Sequence, residues 1–298
     1  MKFKVGDFVL RKSYDYDILF RIYQIDNDKT VTIVGEEMRL IADAPINDLV
    51  LVNEQDRKLR HEEEKKKQEN CYRLFRQDSR MLRQKSEYVM TAGYRSNSSY
   101  FELPGRILHI DGDPVYLKRC TDLYEKLGVP IYGVHMEERE IPLQITSLLE
   151  MVRPDILVVT GHDAYMSSKG DQNEMKAYRN TKYFAEAVRE ARKFEPHIDH
   201  LVIFAGACQS YFETLIRAGA NFASSPDRIN IHALDPVYIA AKVSLTSFMD
   251  SVSVWELLRN TLTGEKGLGG IETRGLLRRG MPTKNDDEIY YDRKNDKK

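Results

Sequence analysis

The sequence has few cysteines and no pattern that uses them together. Its 298 residues include only Cys71, Cys120 and Cys208, which lie far apart. This number and spacing exclude the disulfide framework of a small secreted domain and a CxxC metal knuckle. The first residues, MKFKVGDFVL, lack the apolar core and the small-residue cleavage site of a secretory signal. We therefore expect a protein that is made in the reducing cytoplasm.

Long apolar runs and a charge excess are also missing. No uninterrupted apolar segment approaches the roughly 20 residues that a membrane helix needs. The formal net charge is -1, so global charge does not argue for a nucleic-acid partner. Hydrophobic residues still make up 42% of the chain, enough to form the core of one large or two modest domains. These features predict a protein with no membrane span and no nucleic-acid partner.

Residues 1–52 have the pattern of a small β module. Short β-rich segments such as Phe8–Leu10 and Thr30–Val34 alternate with turn residues, and Met38–Ile41 is a candidate for one more strand. The opening Val5-Gly-Asp-Phe-Val is similar to small SH3-like barrels. We expect this module to serve either as a docking surface or as a cap on the main domain.

Residues 53–104 are predicted to link this module to the rest of the chain. Residues 53–88 lack Gly and Pro and are rich in Glu, Lys, Arg and Gln, which favours a helix. Leu74 and Phe75 predict that its second half packs against another element. The basic residues fit a solvated linker helix better than a nucleic-acid site. Residues 91–104 have the composition of a loop.

Residues 105–282 alternate between buried strands and helices. Four consecutive units pair an apolar segment with a helical pattern, and they begin at RILHID, VPIYGVH, DILVVTGHDA and HLVIFAGACQS. Strands that are apolar at every position are buried on both faces, as in a parallel sheet covered by helices. We therefore expect an open α/β sheet. Further helices are predicted over residues 237–248 and 254–262, with a turn at GEKGLGG and a disordered tail over residues 283–298.

Two strand ends carry the residues of a thiol nucleophile and its base. The third strand ends in TGHD, which contains His162, and the fourth in GACQS, which contains Cys208. Consecutive βα units are commonly neighbours, and functional groups collect at the carboxyl ends of such strands. The imidazole would take the proton and the thiolate would attack a carbonyl. Cys71 and Cys120 lie in helical segments and are predicted to be inert.

The neighbouring residues complete this candidate site. The helix that starts near Tyr211 favours a negative charge on Cys208, and backbone amides at Gly206 and Ala207 would face an oxyanion. Asp163 is a candidate to orient the histidine. This mechanism requires no cofactor and no metal. The expected site-shaping residues are Thr160, Gly161, Asp163, Gly206, Ala207 and Gln209.

The order of these elements resembles a clan of cysteine peptidases. Caspases place their histidine roughly 50 residues before the cysteine, close to the interval between His162 and Cys208. The sequence of apolar strand, His, helix, apolar strand and Ala-Cys is similar to the caspase, gingipain and legumain clan. That clan has Gly directly after the histidine, where this chain has Asp163, and Gly206 stands where Gln or its equivalents precede Ala-Cys. In that clan the backbone N–H of this Gly donates to the oxyanion. We do not assign the same role to the N–H of Asp163.

A second set of residues fits a different class of enzyme. Asp111-Gly-Asp113-Pro-Val115 fits the D-x-D-x-[TV] opening of haloacid-dehalogenase-like phosphatases, in which one Asp accepts the phosphoryl group and the other is a general acid, with Mg²⁺. GDQNE at residues 170–174 is similar to that family's acidic motif, but it follows the strand at some distance. The simpler interpretation of Asp113-Pro114 is a helix N-cap followed by Pro at N1, with Asp111 lining the cleft.

Long blocks of sequence extend the resemblance over almost the whole chain. The chain resembles the YabG family of sporulation-specific proteases from spore-forming Firmicutes in VGDFVLRKSYDYDILFRI, MRLIAD, ILHIDGDPVYLKRC, RPDILVVTGHDAY, LVIFAGACQSYFETLIRAGANFASSPDRINIHALDPVYIAAK and EKGLGGIETRGLLRRGMP. The resemblance implies a cysteine-type protease, made in the mother cell, that associates with the spore coat and trims coat and cortex-associated proteins. Carried over to this sequence, that activity falls on Cys208 and His162.

Three further hypotheses concern substrates and the alternative to catalysis. Self-processing is expected at two basic segments, Arg73–Arg83 and Arg274–Arg279. The alternative in a different class is a non-catalytic spore-coat scaffold with the β module as its docking surface. A preference for a basic residue before the scissile bond (P1) would need an acid near the site. The candidates for this acid are Asp163, Asp227 and Asp235, and the candidate substrate-binding residues are Asp111, Asp227 and Asp235.

Overall fold

The computed structural model describes residues 3–91 and 101–280. The loop predicted over residues 91–104 lies partly outside the described residues, and the tail predicted over residues 283–298 lies outside them entirely. The described chain has a mixed α/β fold, in which a long helix connects an antiparallel sheet to a mostly parallel one.

An antiparallel sheet of five strands forms the N-terminal part. The strands follow the order β4-β3-β2-β1-β5. Along β3, buried and partly exposed residues alternate, because successive side chains point to opposite faces of a strand. The buried face forms the core of this sheet. The strands are β1 (Phe8–Arg11), β2 (Phe20–Ile25), β3 (Thr30–Gly35), β4 (Ile41–Pro45) and β5 (Leu49–Leu51).

The fourth strand starts later than the sequence predicts. A strand is expected at Met38–Ile41, but β4 begins at Ile41, and residues 36–40 form a loop between β3 and β4. This loop leaves the sheet because it contacts the second half of the molecule. There Met38 forms an isolated bridge with His232, and Arg39 is completely buried.

A single helix, α1 (Glu54–Thr91), joins the two sheets. The side chain of Asn53 accepts the N–H of Asp56 at 2.8 Å and so caps the helix start. Phe75 is buried, with its ring 5.6 Å from that of Tyr238. The predicted helix and the packing of its second half are confirmed. Within residues 3–91 and 101–280, α1 included, no helix combines the length and the apolar character that a membrane crossing requires.

The second sheet has six strands in the order β13-β11-β10-β9-β7-β8. All run parallel except β13, which is antiparallel to β11. β7, β9 and β10 are buried at every position, as expected for strands covered on both faces. The predicted parallel α/β sheet is confirmed. Its strands are β7 (Ile107–Asp111), β8 (Ile131–His135), β9 (Ile156–Thr160), β10 (Val202–Ala205), β11 (Phe222–Ser224) and β13 (Leu268–Gly270).

Helices cover both faces of this sheet. One face carries α2 (Pro114–Leu127), α6 (Asp235–Leu245) and α7 (Val254–Leu258), and the other carries α3 (Ile141–Val152), α4 (Thr181–Phe194) and α5 (Phe212–Ala218). As predicted, α2 starts at the N-cap Asp113 and ends at Gly128 in the left-handed conformation. α7 is shorter than its predicted span, because the chain turns where the N–H groups of Leu262 and Thr263 bond to Asp235.

Several short strands escaped prediction. β13 lies in GEKGLGG, which the sequence predicts as a turn. Gly270 allows it to pair closely with β11, since a Cβ there would collide with Asn221 and Phe222. β6 (Phe101–Leu103), in a segment predicted as a loop, pairs with β15 (Arg278–Gly280). A final pair joins β12 (Ser251–Val252) to β14 (Thr273–Arg274).

The strand order creates a crevice between β7 and β9. From β7 the chain passes to β8 on one side and returns to β9 on the other. At such a reversal the following connections diverge, and open α/β sheets bind ligands there, beyond the carboxyl ends of the strands. Asp111 ends β7 and His162 follows β9, so both lie at this crevice.

Candidate active site

The two residues predicted to be catalytic follow neighbouring strands. His162 follows β9 and Cys208 follows β10, and Val159 lies opposite Ala205 in the pairing of these strands. The ring of Tyr116 lies 5.7 Å from the imidazole of His162 between centroids. Burial raises the pKa of Tyr116, and Asp113 and then Cys208 lie close enough to add to the shift. Tyr116 is therefore close to both residues at this edge of the sheet.

A carboxylate holds the imidazole of His162. Nε2 lies 2.9 Å from Oδ2 of Asp113. The other ring nitrogen, Nδ1, is buried and has no hydrogen-bond partner within residues 3–91 and 101–280. An ionised carboxylate accepts the proton on Nε2, so Nδ1 carries the lone pair. In this tautomer Nδ1 is the ring nitrogen that can accept a proton.

Asp113 divides its two oxygens between the helix and the histidine. Oδ1 accepts the N–H groups of Val115 (2.7 Å) and Tyr116 (3.1 Å) at the start of α2. Burial alone would raise the pKa of Asp113, but the hydrogen bond and charge of His162 outweigh it and the pKa is lowered. The carboxylate is ionised at neutral pH. The sequence predicts only its capping role, because that role already explains an Asp before Pro.

Asp163 has a different place from the one predicted. It was a candidate to orient His162, but its oxygens accept four hydrogen bonds from other groups, and Asp113 holds the ring instead. Burial raises the pKa of Asp163 to about 6 in spite of these donors. Asp163 thereby ties the turn after β9 to the start of α4 and to the turn that holds Cys208. Its donors are the N–H groups of Ala164 and Asn180 and the hydroxyls of Thr181 and Ser210.

Cys208 lies in a tight turn between β10 and α5. Gly206 has a φ of 109°, which favours glycine. Its N–H donates to a carbonyl of β9 at 3.0 Å, and the N–H of Ala207 donates to the hydroxyl of Ser210 at 2.9 Å. Both amides were predicted to face an oxyanion. In the structure they are occupied by acceptors of the protein itself.

Replacing Gly206 by alanine should lower the free energy of unfolding by about 2–4 kcal/mol. The new Cβ would collide with Ser224 and lie 2.8 Å from Cδ1 of Leu215, in addition to the backbone strain. Gly128→Ala is the matched control, since Gly128 has a φ of 74° but open space around it. Denaturant unfolding of both variants measures the difference. Equal losses would contradict the steric account of this turn.

The thiol of Cys208 is completely buried. Sγ lies 3.6 Å from the carbonyl oxygen of Ile231 and accepts the N–H of the same residue at 3.3 Å. Burial raises its pKa to about 12, so it is a protonated thiol at neutral pH. Burial raises the pKa of Cys71 and Cys120 to about 12 as well, as expected for unreactive thiols.

A buried ion pair lies in the same crevice. Nη1 of Arg39, from the loop between β3 and β4, lies 2.5 Å from Oδ2 of Asp111, and neither side chain is exposed. Nη2 also donates to the carbonyl oxygen of Ala233 (3.1 Å) and to Sγ of Cys120 (3.2 Å). Burial opposes both charges, but their attraction prevails, raising the pKa of Arg39 and lowering that of Asp111. Asp111 therefore lines a pocket that holds an arginine side chain.

The other acids predicted to bind substrate have different surroundings. Asp235 is buried, and its oxygens accept the N–H groups of Leu262 and Thr263 together with the Thr263 hydroxyl. It therefore fixes the loop after α7. Asp227 is exposed in the loop that follows β11.

Two more predicted site residues link loops around the crevice. The hydroxyl of Thr160 donates to Oδ2 of Asp111 at 3.0 Å. Oε1 of Gln209 accepts the N–H of Tyr165, and its Nε2 donates to Asn230, both at 3.1 Å. These contacts are structural supports for the turns that carry Asp111 and Cys208.

Glu138, in the loop between β8 and α3, was missed by sequence reasoning. Its Oε1 accepts the N–H of His162 at 2.7 Å. A Cβ at Gly112 or Gly161 would collide with this carboxylate, so both glycines are needed for its approach. No pattern in the charged run Glu137–Glu140 distinguishes Glu138 from its neighbours.

Three clusters have donor atoms close enough for a metal ion within the part of the chain that the structure describes. In the first, which contains Asp111 and Cys120, the Arg39 guanidinium already supplies the positive charge beside Asp111. In the second, Nδ1 of His232 accepts the N–H of Leu234 at 3.0 Å, so Nε2 carries a proton instead of a free lone pair. The third lies in a surface loop. The clusters are His109–Asp111–Cys120, Glu37–Glu64–His232 and Glu195–His197–His200.

Comparison with known proteins identifies the family. A family model described as YabG peptidase U57 matches residues 4–282. The chain belongs to the YabG peptidase family. The sporulation-specific protease YabG of Bacillus subtilis (strain 168) is 54% identical to it over 288 residues, which cover 95% of this chain and 99% of that protein. The family resemblance seen in the sequence is confirmed, and membership of the YabG family makes the chain a peptidase.

The match to the YabG family covers more than the crevice. Residues 4–282 include the N-terminal sheet, α1 and the loop that carries Arg39, as well as the strands that carry His162 and Cys208. The N-terminal sheet is therefore part of the region that the family model matches.

Proposed function

We propose that this protein is a sporulation-specific cysteine endopeptidase that processes spore coat and cortex-associated proteins. The observation that carries the proposal is the His162–Asp113 pair, whose free Nδ1 lies at the sheet edge that also carries Cys208. Membership of a peptidase family and the 54% identity to a sporulation-specific protease support it. Cys208 is the nucleophile, His162 is the base, and Asp113 fixes the tautomer of His162.

A caspase-like catalytic domain is part of the same proposal. It is supported by a parallel sheet in which the third strand in chain order precedes His162 and the fourth precedes Cys208. We divide the chain into an SH3-like module over residues 1–52, a helical linker over residues 53–104 and a catalytic domain over residues 105–282. The protein would be made in the mother cell and then associate with the spore coat.

Each residue has a step in the proposed reaction. Nδ1 of His162 takes the proton of the Cys208 thiol, and Asp113 stabilises the imidazolium that forms. The thiolate attacks the carbonyl carbon of the scissile peptide. The imidazolium then gives its proton to the leaving amine, and a thioester remains. Water hydrolyses this thioester with His162 as the base, which restores the thiol.

We propose that the pocket around Asp111 selects a basic P1 residue. Asp111→Asn should lower kcat/KM for substrates with arginine at P1 by about 10²-fold, because a neutral amide loses the charge-assisted bond to the guanidinium. Substrates with a neutral P1 residue should change far less. Asp227→Asn, at an exposed position, is the control and should leave both rates unchanged. An intact arginine preference in Asp111→Asn would rule out this pocket.

The proposed function is tested by incubating the wild type and Cys208→Ala with a spore-coat protein extract. Mass spectrometry of the new termini identifies the products. We expect products with the wild type alone, and melting temperatures should show that both chains are folded. Equal cleavage by both would exclude the cysteine mechanism. Binding of coat proteins without cleavage by either would favour the scaffold alternative.

The phosphatase alternative is not favoured by the contacts of its two carboxylates. Asp111 is ion-paired with Arg39, and Asp113 is shared between the start of α2 and His162. A phosphoryl acceptor needs a carboxylate oxygen that is free to attack. Mg²⁺-dependent hydrolysis of phosphate esters that survives Cys208→Ala would be needed to support this alternative.

A further inference from the structure

We infer that the crevice selects a second substrate residue, an acidic side chain two positions before P1 (P3), and that Arg119 of α2 binds it. The inference concerns substrates of the proposed peptidase and therefore rests on the proposed function. The loop between β3 and β4 shows where this side chain would lie, because it occupies the crevice in the extended form that a substrate would take.

The loop pairs with the second half of the molecule as a bound peptide would. Residues Glu37–Arg39 run antiparallel to Ile231–Ala233, with Met38 opposite His232. One backbone hydrogen bond on each side flanks this pair, at 2.9 and 3.4 Å. Extended peptides commonly bind by adding such a strand, while pockets take alternate side chains.

The register of this pairing places two side chains of the loop on the same face. Arg39 lies in the pocket of Asp111, with Nη1 2.5 Å from Oδ2. Side chains two residues apart on an extended chain point to the same face, so Glu37 also faces the second half of the molecule. Met38 packs instead against the core of the N-terminal sheet. When the pocket holds a P1 arginine, the P3 side chain therefore lies where that of Glu37 lies.

Three elements of the protein surround the carboxylate of Glu37. Its Oε2 accepts the side-chain amide of Gln68 on α1 at 3.2 Å. The same oxygen lies 3.3 Å from Nη1 of Arg119 and 3.7 Å from Nε2 of His232. Nη1 of Arg119 also donates to the carbonyl oxygen of Glu36 at 2.5 Å. Arg119 therefore binds a main-chain oxygen of the loop together with the side chain of the next residue.

Both acids that pair with Arg119 belong to the loop. The guanidinium lies 3.6 Å from the carboxylate of Glu36 and 3.3 Å from that of Glu37. Within residues 3–91 and 101–280, no further acid forms an ion pair with it. A substrate that displaces the loop therefore removes both partners. An acidic side chain at P3 restores a charge-assisted hydrogen bond to the guanidinium.

Glu64 of α1 stays beside this site, but other groups match its charge. Its carboxylate lies 3.1 Å from Nε2 of His232 and 3.5 Å from Nζ of Lys67, and the hydrogen bond from His232 lowers its pKa. The positive charge of Arg119 is therefore left to the substrate. A glutamine at P3 could accept the same donors but would lose the attraction between charges, and a lysine would be repelled.

Tyr116 connects this site to the arginine pocket. Its ring centroid lies 5.2 Å from Cζ of Arg39 and 6.0 Å from Cζ of Arg119. Its hydroxyl donates to the carbonyl oxygen of Met38 at 2.7 Å. Tyr116 thus contacts both guanidinium groups and holds the main chain of the residue between P1 and P3.

The inference is tested with peptides of the form Ala-X-Ala-Arg that carry a fluorogenic coumarin amide, in which X, at P3, is Glu, Gln or Lys. Each is assayed with the full-length wild type and with Arg39→Ala, which vacates the arginine pocket. We expect kcat/KM to be about five- to tenfold higher for Glu than for Gln, and lowest for Lys. Arg119→Gln should reduce the ratio between Glu and Gln to about one.

Lys118→Gln is the matched control. It removes a positive charge from the adjacent position of α2, where Lys118 is exposed and pairs with Asp122, and it should keep the wild-type ratio. Arg119→Glu should reverse the order and favour Lys, a result that a loss of folded protein would not produce. Each ratio compares substrates of one enzyme preparation, so the amount of folded enzyme cancels.

Two results would overturn the inference and leave the proposed function standing. One is equal, Cys208-dependent cleavage of the Glu and Gln peptides. The other is a preference for Glu that survives unchanged in Arg119→Gln. If neither the wild type nor Arg39→Ala cuts any of the peptides, the proposed function fails and the inference fails with it.

Discussion

Replacing Asp113 by asparagine is expected to lower kcat by about 10²- to 10⁴-fold. The carboxylate accepts the Nε2 proton of His162 at 2.9 Å, and this keeps Nδ1 free as the base. An amide can donate to Nε2 instead, which favours the tautomer with its proton on Nδ1 and removes the counter-charge of the imidazolium. KM should change little, because Asp113 contacts the histidine rather than the substrate.

Steady-state kinetics over a range of pH, measured together with thermal melting, separates this role from a structural one. Asparagine is as good an N-cap as aspartate, so the start of α2 should be retained. Asp113→Ala, the comparison variant, also loses the cap and should be less stable by about 1 kcal/mol. A kcat for Asp113→Asn within about twofold of the wild type would contradict the orienting role.

Opening the loop between β3 and β4 is expected to increase the reactivity of Cys208 by up to about 10³-fold at pH 8. In the closed chain, burial raises the pKa of the thiol to about 12, so only about one thiol in 10⁴ is ionised at that pH. Arg39→Ala removes the ion pair with Asp111 and exposes the thiol, whose pKa should fall toward about 8.5. Rates of alkylation by iodoacetamide, read from peptide masses, measure this change.

The pH dependence of alkylation gives a second signature. For the closed chain, the rate should rise about tenfold per pH unit up to about pH 11, because the thiol is almost entirely protonated there. For Arg39→Ala it should level off above about pH 8.5. Cys71, which is buried on α1 and contacts the carbonyl oxygen of Asn260, is the internal control and should react equally in both chains. Equal rates for Cys208 in the two chains would show that the loop does not cover the thiol.

The parallel sheet was predictable because its signals are local and repeated. β7, β9 and β10 are apolar at every position, and α2 carries an Asp-Pro start and a Gly end. β11 and β13 gave no such signal. Each has three residues, and β13 owes its pairing to a close approach that Gly270 permits. Their existence depends on tertiary contacts rather than on propensity.

The site was only partly predictable for a related reason. Strand-end placement was enough to bring His162 and Cys208 to one edge. Asp113 also holds the imidazole of His162. That contact depends on a side chain that reaches across the crevice, and no residue spacing in the sequence predicts it. The insertion of Arg39 depends on how two sheets dock. A lone arginine within the apolar segment Met38–Ile41 was the one available signal, and it indicated a strand residue equally well.

The central claim, that Cys208 is the nucleophile, is tested most directly by locating a covalent bond. The purified wild type would be treated with a peptidyl-arginine chloromethyl ketone, digested and mapped by mass spectrometry. We expect one label per chain, on Cys208, with slower labelling in His162→Ala and none in Cys208→Ala. A label on a different residue, or labelling of Cys208→Ala at the wild-type rate, would contradict the assignment.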